Sequence, residues 1–197
     1  MNQIEIDQYH NKRLIATRYY LLGCKFYKAI RAMEFAMKFH SGTRKDKQTP
    51  EFAHQLDLVQ LLTSLQNNFL FKEETIATAF LHDVCEDYDV GFTEIQQEFG
   101  EKVSEAVSLL TKKYRGQKID PKTYFDAISK NSIASLVKGA DRISNIQTIP
   151  LVFSKEKQVE YIKETNEFIL PTLKVARKNF PEQHESYQNL SIVLKSQ

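Results

Sequence analysis

The sequence predicts an all-α fold, and three observations carry that prediction. Apolar residues recur at helical spacing along most of the chain. No stretch sustains the period-2 alternation of a half-buried strand. Only six glycines punctuate the 197 residues, which leaves little room for a sheet and its turns.

The elements follow in order. His54 opens a helix that runs on through Leu56, Val59 and Leu62. Ile76, Ala77, Phe80, Leu81 and Val84 share one face of the next. Thr93 with Gln96 reads as a capping box for a short helix, and Gly100 as its stop. Lys112 to Lys122, KKYRGQKIDPK, is the clearest loop, and its cations face either a ligand or water. Tyr124, Phe125 and Ile128 read as a core stripe. Ile133, Leu136, Val137, Ala140 and Ile143 then mark a buried helix. Ser154 starts a helix carrying Val159, Ile162 and Ile169, which Pro171 interrupts. No linker, repeat or low-complexity tract divides the chain, so 1–197 reads as one domain, with C-terminal helices over 154–195.

Composition narrows the functional classes. Hydrophobic residues at 42% and charged residues at 26% are ordinary for a soluble globular chain. A formal charge of +2 gives no electrostatic footprint for nucleic acid, and none is expected as a partner. No apolar run is long enough to cross a bilayer, so no membrane partner is expected either. The N-terminus, MNQIEIDQYHNKR, lacks the apolar core of a signal peptide. Cys24 and Cys85 have no metal-type spacing and read as reduced thiols, which with the missing signal predicts a cytoplasmic protein. His10 and His184 read as surface residues, Cys85 as core and His40 as structural support.

The segment FLHDVCEDYD, Phe80 to Asp89, places one histidine among four carboxylates where an apolar run is ending. One reading is a helix end fraying into solvent. The other is a metal site. On a helix His82 and Asp83 lean toward a common point, with Glu86 and Asp87 one turn on flanking it. His54 and Asp141 are candidates for two further ligands, because both fall on apolar-faced helices and an unpaired buried carboxylate is costly. Two imidazoles with two carboxylates suit one divalent ion, Mn²⁺, Fe²⁺ or Zn²⁺, and the lack of thiolates argues against structural zinc.

The ordered segments RKDKQTPEFAH, LHDVCED, FGEKVSEAVSLLTK and DRISN resemble the HD-superfamily hydrolase domain of the RelA/SpoT alarmone enzymes. The resemblance covers a core of about residues 36–148. It implies an HD-type helical bundle and metal ligation, most simply of Mn²⁺, by His54, His82, Asp83 and Asp141. It implies a catalytic acidic pair in Glu86 and Asp87. It also implies a small-molecule nucleotide substrate, with Arg44 and Lys45 lining its site and Asn145 and Thr148 contacting ribose or phosphate. The implied reaction removes the 3′-diphosphate from ppGpp or pppGpp. Other expectations compatible with the same residues are hydrolysis of another nucleotide, such as NADPH or a nucleoside phosphate, and nucleotide binding without catalysis. At this length the synthetase domain of the long alarmone enzymes is not expected, which points to a small stand-alone hydrolase. Four positions depart from the family pattern: Glu51 for tyrosine, Gln55 for proline, Tyr88 for threonine and Ser144 for histidine. These changes leave the metal set whole and are expected to alter the guanine-reading part of the pocket.

Overall fold

The computed structural model describes residues 2–196, the side chains at 149–152 excepted. A reciprocal cap opens the chain: Asn2 accepts from the Glu5 N–H and Glu5 from the Asn2 N–H, starting α1 (Gln3–Gly23). Next come α2 (Tyr27–Met37), α3 (Ala53–Leu65) and α4 (Lys72–Leu81). The one-turn α5 (Val84–Asp87) precedes α6 (Phe92–Phe99) and α7 (Glu101–Leu110). An antiparallel ribbon, β1 (Lys113–Tyr114) with β2 (Gln117–Lys118), leads into α8 (Pro121–Ser129). Then follow α9 (Ser132–Val152), α10 (Lys155–Glu164), α11 (Leu170–Asn179) and α12 (His184–Ser196).

α4 is the centre of this arrangement. Thr75 through Leu81 are all buried, so its last turns have no solvent face. α2, α3, α7 and α9 pack around it, and Phe80 stacks on Phe52 with centroids 5.9 Å apart and planes within 3°. The core stripe of Tyr124, Phe125 and Ile128 is buried as the sequence implied, as is the run from Ile133 to Ile143 on α9. The all-α expectation therefore holds, the two-residue strands being its one exception among the described residues.

Four local expectations need correction. Val84 does not continue the helix of Ile76: α4 ends at Leu81, and His82 and Asp83 form a turn before α5 starts. Gly91, not a Thr93 capping box, precedes α6, and no side chain caps that helix. Gly100 does stop it, at φ 88°, where a residue with a Cβ would be strained, and the same residue opens α7. The Lys112–Lys122 segment holds the β1–β2 ribbon, and Pro121 already begins α8, its Asp120 cap accepting from the Thr123 N–H at 3.0 Å. His10 is half-buried and lines a small secondary cavity rather than the open surface. Further on, Ser154 caps α10 as expected. Residues Thr165–Ile169 widen into a π turn just before Pro171, whose missing N–H cannot bond back into a regular helix.

Gly139 fixes how closely the C-terminal helices approach α9. A Cβ there would lie 3.1 Å from both Leu173 Cδ2 on α11 and Leu190 Cδ1 on α12. Those leucines are 1% and 0% exposed, so they have little space to retreat into. Gly139→Val is expected to destabilise the fold by about 1–3 kcal/mol through overpacking, read as a lower urea midpoint at unchanged m-value.

Candidate metal centre

The break after α4 aims two side chains at one point. His82 caps α4 and is 3% exposed; its Nδ1 lies 2.9 Å from the Ala79 carbonyl, which places the proton on that nitrogen. Its Nε2, the atom left to carry the lone pair when the ring is neutral, is fully enclosed and has no hydrogen-bond partner. Asp83 Oδ2 is 2.8 Å from that nitrogen but off the direction a hydrogen bond needs.

α3 and α9 bring the remaining groups. His54, in the first turn of α3, sets Nδ1 3.0 Å from Ser144 Oγ and Nε2 3.3 Å from Asp141 Oδ1. Asp141, midway along α9, binds Lys138 Nζ through Oδ2 at 3.0 Å. Its Oδ1 accepts from the Asn145 amide at 2.5 Å and lies 3.9 Å from His82 Nε2. One ligand atom each from His54, His82 and Asp141 falls within 4.8 Å of the others. Asp83 stands at the margin of that group, with Oδ2 3.9 Å from His54 Nε2.

Electrostatics keep the cluster charged. Burial alone would raise the Asp141 carboxyl, but the Lys138 ammonium and then the two imidazoles hold it well below the usual range. Burial alone would lower His82, yet the Asp83 carboxylate, with help from Asp141, pushes it up to about 9, so without a cation the ring holds a second proton on Nε2 that a bound ion would displace. An imidazole with an orphaned inner nitrogen, a second imidazole and an ionised carboxylate are the donor set a divalent cation requires, and the residues present fit one. No thiolate competes for it: Cys85, next to the site in sequence, is buried, and burial pushes its thiol up to about 12.

The cluster opens into a cavity of about 450 Å³, a size that suits a small-molecule ligand. His54, Asp83, Asp87 and Asp141 line it. So do the four residues expected to meet substrate: Arg44, Lys45, Asn145 and Thr148. The loop bearing Arg44 and Lys45 is shaped by the Thr43–Pro50 bridge and by Asp46, which accepts from the Gln48 and Thr49 N–H groups. Arg44 reaches Thr148 Oγ1 at 3.5 Å, so the loop and α9 meet across the cavity. Asn145 does more locally than expected, because its amide is committed to Asp141.

The acidic pair divides. Asp87 lines the cavity, and partial desolvation with the Asp83 and Glu86 carboxylates pushes its carboxyl up to about 6. Glu86 does not line it: its Oε2 accepts from the Lys112 backbone N–H at 2.7 Å and anchors the root of the ribbon. Lys112 in turn binds Glu164, which also pairs with the buried Arg142.

Two wall features went unread in the sequence. Phe153 and Tyr161 form an aromatic pair, centroids 5.7 Å apart, with Lys45 Nζ 4.3 Å over the Phe153 ring. Their separation across the α9–α10 junction, with Tyr161 two turns into α10, hides them from any local pattern. The second feature is a cluster at His40. Gln55 Nε2 lies 3.2 Å from one ring nitrogen, with the Tyr88 hydroxyl 3.3 Å and Glu51 Oε1 3.9 Å from the other. Three of the four departures thus sit together.

The profile of the HD domain family matches residues 32–168. The chain is 33% identical over 146 residues to the guanosine-3′,5′-bis(diphosphate) 3′-pyrophosphohydrolase of Aquifex aeolicus, covering 72% of this chain and 20% of that one. It is 29% identical over 169 residues to the GTP pyrophosphokinase rsh of Brucella ovis, covering 82% and 22%. It therefore spans about a fifth of the length of these curated relatives. In architecture it is similar to a solved metazoan ortholog of SpoT described as hydrolysing ppGpp, with TM-score 0.65 and 22% identity over 86% of this chain and 92% of the other. The His82–Asp83 turn, completed by His54 and Asp141 from the neighbouring helices, falls inside the matched span, and the chain belongs to the HD domain family.

Proposed function

We propose that the chain is a metal-dependent phosphohydrolase that cleaves the 3′-diphosphate from ppGpp or pppGpp, releasing pyrophosphate and leaving GDP or GTP. The observation that carries this reading is the enclosed, unpartnered His82 Nε2 facing His54 and Asp141, which line a nucleotide-sized cavity. The 3′-pyrophosphohydrolase for which the Aquifex relative is named supports the choice of substrate.

In this reading His54, His82 and Asp141 hold one divalent ion, with Asp83 completing the set. Mn²⁺ is the ion assigned here, and the same donors also accept Fe²⁺ or Zn²⁺. When bound, such an ion supplies Lewis-acid polarisation of a phosphoryl oxygen and makes water a better nucleophile near neutral pH. The water oxygen bonds to the phosphorus attached to the ribose 3′-oxygen, the P–O bond to that oxygen breaks, and a proton must reach the departing 3′-oxygen. Asp87, facing the cavity with a raised carboxyl pKa, is suited to take or give that proton. Glu86 is its partner in the pair and keeps α5 tied to the ribbon through Lys112. Arg44 and Lys45 offset phosphate charge or stack on the base, and Thr148 and Asn145 present polar atoms to the ribose.

A second reading keeps the chemistry and changes the nucleotide, to NADPH or a nucleoside phosphate. The observation favouring it is the gathering of Glu51, Gln55 and Tyr88 at His40, since Glu51 and Gln55 both line the cavity. Product analysis separates the two: the alarmone reading requires intact pyrophosphate from ppGpp with Mn²⁺ present. Robust turnover of another nucleotide with no cleavage of ppGpp would sink it.

Protein purified without chelator is expected to carry up to one equivalent of divalent metal. His82→Ala and Asp141→Ala should each lose it, and retention of the parent's content by both excludes the assigned ligands. Asp87→Asn should keep the metal and lose about 10²- to 10⁴-fold in turnover, whereas Glu86→Gln, outside the cavity and bonded to the Lys112 N–H, should keep the metal with a smaller loss. A near-parental rate in Asp87→Asn would exclude it as the proton-transfer group. Arg44→Ala should chiefly raise KM, by a factor corresponding to about 1 kcal/mol, with metal content unchanged.

A further inference from the structure

We infer that Ser144 is the positioning residue that keeps His54 available as a metal ligand, an inference that rests on the metal reading above. The sequence pattern placed the serine among changes to the base-reading pocket, but it is 3% exposed and does not line the cavity. It lies one helical turn beyond Asp141 on α9, with its hydroxyl 3.0 Å from His54 Nδ1. One stripe of α9 thus offers a carboxylate to the cluster through Asp141 and a hydroxyl to the back of the facing imidazole through Ser144.

The two imidazoles are supported differently. His82 donates its Nδ1–H to the Ala79 backbone carbonyl, a partner no side-chain substitution removes. His54 depends on a side chain. When Ser144 Oγ accepts the Nδ1–H, the Nε2 lone pair faces the cluster and the ring plane is fixed. Without the hydroxyl, the other tautomer gains, because Nε2–H has a ready acceptor in Asp141 Oδ1 at 3.3 Å. That contact pairs two would-be ligands with each other and closes the gap the ion needs. Ser144 therefore selects between an open and a self-paired cluster, and it does so without touching the substrate.

Titration of chelator-stripped protein with Mn²⁺, followed by the paramagnetic resonance signal of the free ion, tests this without any activity measurement. Ser144→Ala, and the nearly volume-conserving Ser144→Cys, should each weaken Mn²⁺ binding by about 10- to 100-fold. Ser144→Thr, which keeps the hydroxyl, should stay close to the parent. Parental affinity in the alanine and cysteine variants overturns the inference while leaving the metal reading intact. Weakening in the threonine variant as large as in alanine marks a packing role and overturns it as well. A parent chain that binds no Mn²⁺ overturns the metal reading and this inference with it.

Discussion

An ionised carboxylate inside a helical core is the constraint from which the rest of this structure follows. Asp141 is 6% exposed, and an isolated charge at such depth would cost several kcal/mol and neutralise instead. Both of its oxygens are compensated. Lys138, on the same helix and itself largely covered, takes one, while Asn145 and the two imidazoles surround the other. A lysine placed here would be a liability without Asp141, and Asp141 without it would titrate. The pair holds a negative oxygen at a fixed point regardless of what lies in the cavity.

That point has to be met from two other directions, and the helix packing provides them. α3 delivers His54 from its first turn, where the side chain is buried yet reaches the cavity wall. α4 delivers His82 from its end. Ala79, Phe80 and Leu81 in the last turn of α4 are apolar and buried, and the ligating polar group comes at the residue that caps it. The turn at His82–Asp83 breaks the helix so that Asp83 and Asp87 line the cavity while Glu86 meets the Lys112 N–H.

This explains what the sequence disclosed and what it withheld. Apolar periodicity identifies α3, α4 and α9, because each buries a face or more in a shared core. The site residues are legible because charged groups at buried helical positions are rare, and His82, Asp83 and Asp141 stand out against their neighbours. The helix break is not legible, since Val84 and Cys85 continue the apolar pattern across it and only hydrogen bonding distinguishes one helix from two. Glu86 and Asp87 look equivalent in sequence, but their side chains leave α5 toward different partners, and the Lys112 N–H that takes Glu86 is 26 residues away. Ser144 is misplaced for the same reason. Its partner His54 lies 90 residues distant, and a one-residue comparison with a family pattern cannot say on which side of a helix the change will be felt.

The burial of Cys85 has a practical side. With its thiol enclosed and pushed up to about 12, it offers almost no thiolate to peroxide, disulfides or maleimides at neutral pH. Oxidative control through this residue is closed off, even though it sits between Asp83 and Asp87 in the chain. The other cysteine, Cys24, is partly accessible at the end of α1, remote in sequence from the cluster. A spin label or fluorophore coupled under mild conditions therefore goes to one site on the unmodified chain, giving a reporter at the α1–α2 junction while leaving the residues around the cavity chemically untouched.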